Sequence, residues 1–416
     1  MNLEQNGAAA APLVTIVVPA YNHLDYTRLC IQALLEHTGG IPYRLILINN
    51  GSSDGTEEFF CGIPGAVKLS YPENIGVDKA VNWGFRMAEG KYTLNLSNDI
   101  VVTHRWLENL VACMESDETI GMAVPVCGVS SNNQAVSLSY GSLEEMQRAA
   151  ADYNVSNPNL WEDRIKLVTY ACLFRTKLQK EMGGFDEAYN PGAYDDDDIS
   201  FRIRRAGYRL VLAGDTYVHH FGSVTFNAEY AKSNLAPRNL RLFRSKFGVH
   251  PWQAAYIDFN VLNLFTFMQR DSCSLLGIGS SCGSTLLQMK NACRSKGCAA
   301  IRLDYLSERA ENMPELKSVC TECVRAGPGE LESCFGERRY DYLLIESETD
   351  RMENPEQVFR TAAGLLAPGG QLVYTAAGEA LHGRLRGALR EAGLVERRNL
   401  RDYYFLNVKP LTDYRL

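Results

Sequence analysis

Val14-Thr-Ile-Val-Val-Pro-Ala-Tyr-Asn22 and Leu45-Ile-Leu-Ile-Asn-Asn-Gly-Ser-Ser-Asp-Gly-Thr56 decide the fold. Each opens as a short β-branched or aliphatic run that fits a strand buried on both faces, and each stops abruptly in polar loop chemistry. Ligands of open α/β sheets bind at the carboxyl ends of such strands. The two loops are therefore expected to form the two walls of one nucleotide pocket.

Outward from these junctions, strand-like runs alternate with amphipathic helical stretches from Val14 to about Phe226, the pattern of a mainly parallel sheet with crossover helices. Strands are predicted at Val14–Pro19, Leu45–Ile48, Val67–Tyr71, Tyr92–Leu96, Gly121–Pro125 and Leu210–Leu212. Helices are predicted at Leu24–Glu36, Thr56–Phe60, Val77–Ala88 and Arg105–Glu115. The polar stretch Ser130–Asn159 reads as a mobile loop or excursion beside the site. Asn227–Arg270 carries Trp252, Tyr256, Phe259, Leu262 and Phe265 at helical spacing and reads as packed helices linking two domains. A second α/β unit opens at Ser272. The expected division is a disordered lead-in over 1–12, a first domain over 13–226, a helical linker over 227–270 and a Rossmann-like domain over 271–416.

Composition narrows the function classes. The 416 residues are 46% hydrophobic and 22% charged, an ordinary globular balance. A net charge of −7 argues against a nucleic-acid partner. No apolar run reaches the ~18 residues of a membrane span. Met1–Pro12 lacks the basic region of a signal peptide. Twelve cysteines without such a signal point to reduced thiols and a cytoplasmic location, with peripheral membrane attachment as the other option. Cys320-Thr-Glu-Cys323 is a single CxxC hook, whereas closed zinc sites pair two.

A transferase acting on a nucleotide-diphosphate sugar needs a metal to offset charge on the departing diphosphate, and a base for the acceptor. Thr93-Leu-Asn-Leu-Ser-Asn-Asp-Ile100 runs a strand into Asp99, a hard oxygen ligand for Mg²⁺ or Mn²⁺. His219 or His220, in Tyr217-Val-His-His-Phe221, could complete the coordination. Asp195-Asp-Asp-Asp198 offers four candidate bases. Taken singly, each signal has an ordinary explanation: a turn, a helix start favoured by its dipole, or a structural histidine pair. Their joint order along one α/β pattern is what carries the reading.

That order resembles the family 2 glycosyltransferases with the GT-A fold, over Val14 to about Gly248. Pro19, Ala20, Tyr21 and Asn22, with Asn49, Asn50, Gly51, Ser52 and Asp54, look like that family's base- and ribose-binding loops. Asn74-Ile-Gly76 with Asn82-Trp-Gly84 is similar to its third signature, and Ser97-Asn98-Asp99 sits where the family has Asp-x-Asp. Gly183-Gly-Phe-Asp-Glu187 followed by Asp195-Asp-Asp-Asp-Ile-Ser-Phe-Arg202 resembles the block carrying the catalytic base. The resemblance implies Asp196 as base with Asp195 beside it, Asp198 in reserve, Arg202 near the acids or diphosphate, and Asp99 with His219 or His220 on the metal. It implies inverting transfer from a UDP, dTDP or GDP sugar to a glycan, lipid-linked or protein hydroxyl. Two departures stand out: Asn49 replaces the Asp that commonly contacts the base, and Ser97 replaces the first metal acid.

Gly277-Ile-Gly-Ser-Ser-Cys-Gly283 resembles the glycine-rich motif of class I S-adenosylmethionine-dependent methyltransferases, with Tyr340–Ile345 and Leu366–Gly370 extending the likeness. The family's ribose-binding acid falls on Arg302, with Asp304 as a substitute, and its later "EH" falls on Asp350-Arg351. The expectation is a domain kept for structure, acceptor docking or homodimer formation. The alternatives are a bifunctional enzyme that also methylates, or a non-catalytic scaffold.

Overall fold

A computed structural model describes residues 12–222, 235–346, 349–376, 378–400 and 411–415. The expected lead-in and the end of the first domain near Phe226 lie mostly outside these residues. The chain divides into two compact α/β units, Met1–Phe243 and Arg244–Leu416.

The first unit is built on strands β1 (Val14–Ala20), β2 (Tyr43–Asn50), β3 (Val67–Tyr71), β4 (Tyr92–Leu96), β5 (Ile100–Val101), β6 (Ile120–Cys127), β7 (Trp161–Arg164), β8 (Ala171–Arg175) and β9 (Arg209–His220). They join in the order β3-β2-β1-β4-β8-β6-β9-β5, with β7 also paired to β9. The β1–β4 half is parallel, and β8 runs antiparallel between β4 and β6. This is the mixed, mainly parallel sheet expected of the GT-A fold. β1 and β6 are buried at every position, as strands covered on both faces must be. β3, at the edge, alternates half-buried and exposed residues.

Ser130–Asn159 departs from the expected mobile loop. It contains a helix, Leu143–Tyr153, started by Ser142 Oγ, which accepts from Glu145 N at 3.2 Å. It ends on Asn154, fully buried, whose amide donates to Thr103 Oγ1 (2.9 Å) and His104 O (2.8 Å) and accepts from Tyr217 N (2.8 Å). Its polarity serves capping and anchoring rather than mobility.

The second unit contains β10 (Ser272–Gly279), β11 (Ala300–Ser307), β12 (Glu322–Arg325), β13 (Tyr340–Glu346), β14 (Leu366–Thr375), β15 (Val395–Leu400) and β16 (Leu411–Arg415). Their order is β12-β11-β10-β13-β14-β16-β15, parallel except for β16, which runs antiparallel to both neighbours. The order reverses at β10, so the glycine-rich loop sits at the switch point of a doubly wound sheet. In the linker stretch, Val261, Leu264 and Phe265 pack into this unit's core, while Trp252, Tyr256 and Phe259 remain exposed.

Candidate active site

The register Pro19↔Ile48 and Ala20↔Asn49 brings the loops after β1 and β2 side by side. They are tied to each other. Asn22 N donates to Ser52 Oγ (2.8 Å), Ser53 N to Asn22 Oδ1 (2.9 Å) and Leu24 N to Asp54 Oδ2 (2.8 Å). A third loop joins them: Asn50 donates to Asn74 Oδ1 (3.0 Å) and accepts from Ile75 N (3.1 Å). Gly51 has φ 79°, and a Cβ there would lie 2.3 Å from the carbonyl carbon of Glu73. A Cβ at Gly76 would strike the side chain of Asn190.

Several residues expected to touch a donor are thus occupied in shaping the walls. Asn49 is buried; it accepts from Ser52 N (2.9 Å) and donates to Ser70 Oγ (3.0 Å) and Glu57 Oε2 (3.4 Å). Asn82 is bonded to both backbone groups of Phe185. Arg202 donates to Asp198, Met182 O and Gly184 O. Asn98 donates to Thr27 Oγ1 at 2.9 Å. Pro19 and Ala20 end β1, and the half-buried Tyr21 follows them.

Asp99 stands in the turn between β4 and β5, and its carbonyl accepts from Phe221 N (3.1 Å). Its Oδ2 is 3.4 Å from His220 Nε2, while His220 Nδ1 bonds Val129 O at 2.7 Å. Nδ1, facing a carbonyl, carries a proton, which leaves the Nε2 lone pair of the neutral imidazole for a cation beside Asp99. His219 alternates to the other side of β9, with Nδ1 2.6 Å from Tyr140 Oη. The expected metal pair therefore reduces to Asp99 and His220. Among the described residues no third His, Cys, Asp or Glu joins them in a set able to hold a metal. Two protein donors still fit a cation that takes its other oxygens from a diphosphate and water.

The helix Asp195–Arg205 gives its four leading acids four surroundings. Asp197 meets Lys166 at 2.6 Å. Asp198, fully buried, meets Arg202 at 2.5 Å, which removes it as a candidate base. Asp195 meets Asp78, which stands in the first turn of the helix Val77–Arg86 and was not singled out from the sequence. Asp196 accepts from Thr169 N (3.2 Å) and Thr169 Oγ1, both neutral donors. Burial pushes its pKa up to about 6 against the pull of those bonds.

Thr169 and Tyr170 were also missed, although the apolar run Tyr170–Phe174 could have announced β8. The Tyr170 ring stacks on His220, and Tyr170 O accepts from Ser97 N (2.8 Å). Asp196, Thr169, Tyr170, His220 and Asp99 thus form one continuous line.

In the second unit the glycine-rich loop is satisfied from within. A Cβ at Gly277 would lie 2.5 Å from the Tyr305 ring, and one at Gly279 would lie 2.4 Å from Glu346 O. Tyr305 Oη bonds Ser281 Oγ (2.9 Å) and Glu346 Oε2 (2.7 Å). Asp304 is fully buried inside β11; its Oδ2 accepts from Arg302 (2.8 Å), Arg338 (3.0 Å) and Tyr340 (2.8 Å). These bonds commit Asp304 to the sheet, so it is not free to take the ribose contact expected of it.

Comparison with known proteins agrees with the first unit. The family described as "Glycosyl transferase family 2" matches residues 15–174. The chain is 26% identical over 232 residues to the O-antigen biosynthesis protein RfbC of Myxococcus xanthus, covering 52% of this chain and 18% of that protein. It is 27% identical over 178 residues to the uncharacterized glycosyltransferase RT0329 of Rickettsia typhi, covering 43% and 55%. The chain thus spans little more than half, or far less, of these relatives' own lengths. A solved structure of GalNAc-T7 with UDP, GalNAc and Mn²⁺ aligns at TM-score 0.45 and 13% identity over 70% of this chain and 58% of that one. No described helix is long and apolar enough to cross a membrane.

Proposed function

We propose that the chain is an inverting, metal-dependent glycosyltransferase, moving a sugar from a UDP, dTDP or GDP donor to a hydroxyl of a glycan, lipid-linked or protein acceptor. The observation that carries this is the unbroken line from Asp196 to Asp99, which joins a base to a metal ligand through Thr169, Tyr170 and His220. The acceptor oxygen attacks the anomeric carbon, the bond from that carbon to the diphosphate oxygen breaks, and the acceptor proton passes to Asp196. Asp99 and His220 would hold Mg²⁺ or Mn²⁺, which offsets charge on the leaving diphosphate. Asn22, Asn50, Ser52, Asp54 and Asn74 fix the loops against which base and ribose lie. The likeness to an O-antigen biosynthesis protein is in keeping with a polysaccharide acceptor and a cytoplasmic site of action at the membrane face.

The second unit acts as a structural or acceptor-docking module, because its glycine-rich loop and Asp304 are committed internally. Thermal shift with UDP, GDP, dTDP and S-adenosylmethionine, each with and without Mn²⁺, tests both readings. One nucleotide should raise Tm only with metal, and Asp99→Ala should abolish that rise. Stabilisation by S-adenosylmethionine alone would reverse the assignment.

A further inference from the structure

Asp78 lies in the first turn of the helix Val77–Arg86 with 1% of its surface exposed, and among the described residues no donor reaches its Oδ2. What lies against it is another carboxyl, that of Asp195. Two ionised carboxylates are both pure acceptors, so they meet in a buried site only with a proton between them. Among the described residues, the charged groups that face the pair are acids. Asp196, Asp186 and Glu187 face Asp78, and Asp196 and Asp197 face Asp195. The nearby cations are engaged elsewhere: Arg86 with Glu187, Lys166 with Asp197 and Arg202 with Asp198.

We propose that Asp78 is a positioning residue for transfer, sharing one proton with Asp195 so that Asp195 stays neutral and Asp196 is left as the ionised base. The proposal rests on the transferase reading for its catalytic consequence, but the proton-sharing pair stands without it. Of the four acids, Asp197 and Asp198 are neutralised by cations and Asp195 by the shared proton. Burial and the charge of Asp196 also move the Asp78 pKa up, to about 8. Asp78→Asn lets an amide donate to Asp195, which then ionises beside Asp196 and makes Asp196 harder to deprotonate.

The test has two independent arms on the full chain. In the first, carboxyl ¹³C NMR of aspartate-labelled protein is followed from pH 4 to 9, with Tm measured over the same range. An aspartate carboxyl still protonated at pH 7 is expected. The folded pair binds a proton that the unfolded chain releases near its ordinary carboxylate pKa. Wild type therefore loses stability as pH rises toward about 8, and Asp78→Asn lacks that loss. No protonated aspartate carboxyl at pH 7 overturns the proposal, and that measurement needs only wild type should the variant fail to fold. In the second arm, the acid limb of kcat/KM for transfer should move up by at least half a pH unit in Asp78→Asn. An unmoved limb overturns the positioning role. Absence of transfer from every donor, with the protonated carboxyl present, sinks the transferase reading and with it the positioning role, leaving only the proton-sharing pair.

Discussion

The rings of Tyr170 and His220 lie stacked, with centroids 5.4 Å apart and planes 23° from parallel. This contact, with the bond from Nδ1 to Val129 O, fixes the orientation of the histidine that reaches Asp99. Groups that orient a metal ligand commonly contribute about 10–100-fold to metal affinity. Tyr170→Leu, which removes the stack, should weaken Mn²⁺ binding by that order in calorimetric titration. Tyr170→Phe keeps the ring and should retain most of the affinity. Equal affinity in the leucine variant would show that the stack does not orient His220.

Asp196 must be ionised to accept a proton. With its pKa raised to about 6, kcat/KM should fall tenfold per unit as pH drops below that value and level off above it. Asp196→Asn should cost about 10²–10⁴ in rate, the usual range for a general base, while Tm stays near wild type. A variant that keeps wild-type turnover would transfer the role to a neighbour.

Asn154 anchors the helix Leu143–Tyr153 to β9 and to the turn before the helix Trp106–Ser116. Asn154→Ala leaves buried partners unsatisfied, at about 1–3 kcal/mol each when no water replaces the amide. The denaturant midpoint should fall accordingly with an unchanged slope. A midpoint within error of wild type would mean the segment is held by other contacts.

Asp304 gathers Arg302, Arg338 and Tyr340 around one buried oxygen. Asp304→Ala leaves Arg302 and Arg338 with Glu322 but takes the acceptor from the buried Tyr340 hydroxyl, a loss of about 1–3 kcal/mol. Hydrogen exchange should speed up in β10, β11 and β13. S-adenosylmethionine should protect neither wild type nor variant, since the acid serves the sheet.

The strands that build the first half-sheet were legible because each is a run of apolar residues buried throughout, as in Val14–Ala20. β7 was not, because Trp161-Glu-Asp-Arg164 is polar and draws its partners from distant β9. The choice between His219 and His220 lay outside local sequence. It is set by the irregularity where the β6 partner jumps from Ala213 to Tyr217, which fixes the phase of every later residue on β9. The role of Asp78 was equally hidden: an acid in a helix's first turn is ordinary, and only the approach of Asp195 from more than a hundred residues away makes it unusual. The places of Asp99 after a strand and of Asp196 at a helix start could be read directly from the sequence.

The mutual ties between Asn22, Ser52 and Ser53 make the walls after β1 and β2 a single rigid piece. Their conformational freedom is surrendered during folding, so a nucleotide settling between them meets a slot that has already lost it. Association there should be limited by desolvation and shape rather than by chain ordering, and substitution of Asn22 should appear in calorimetry chiefly as a more unfavourable entropy of binding.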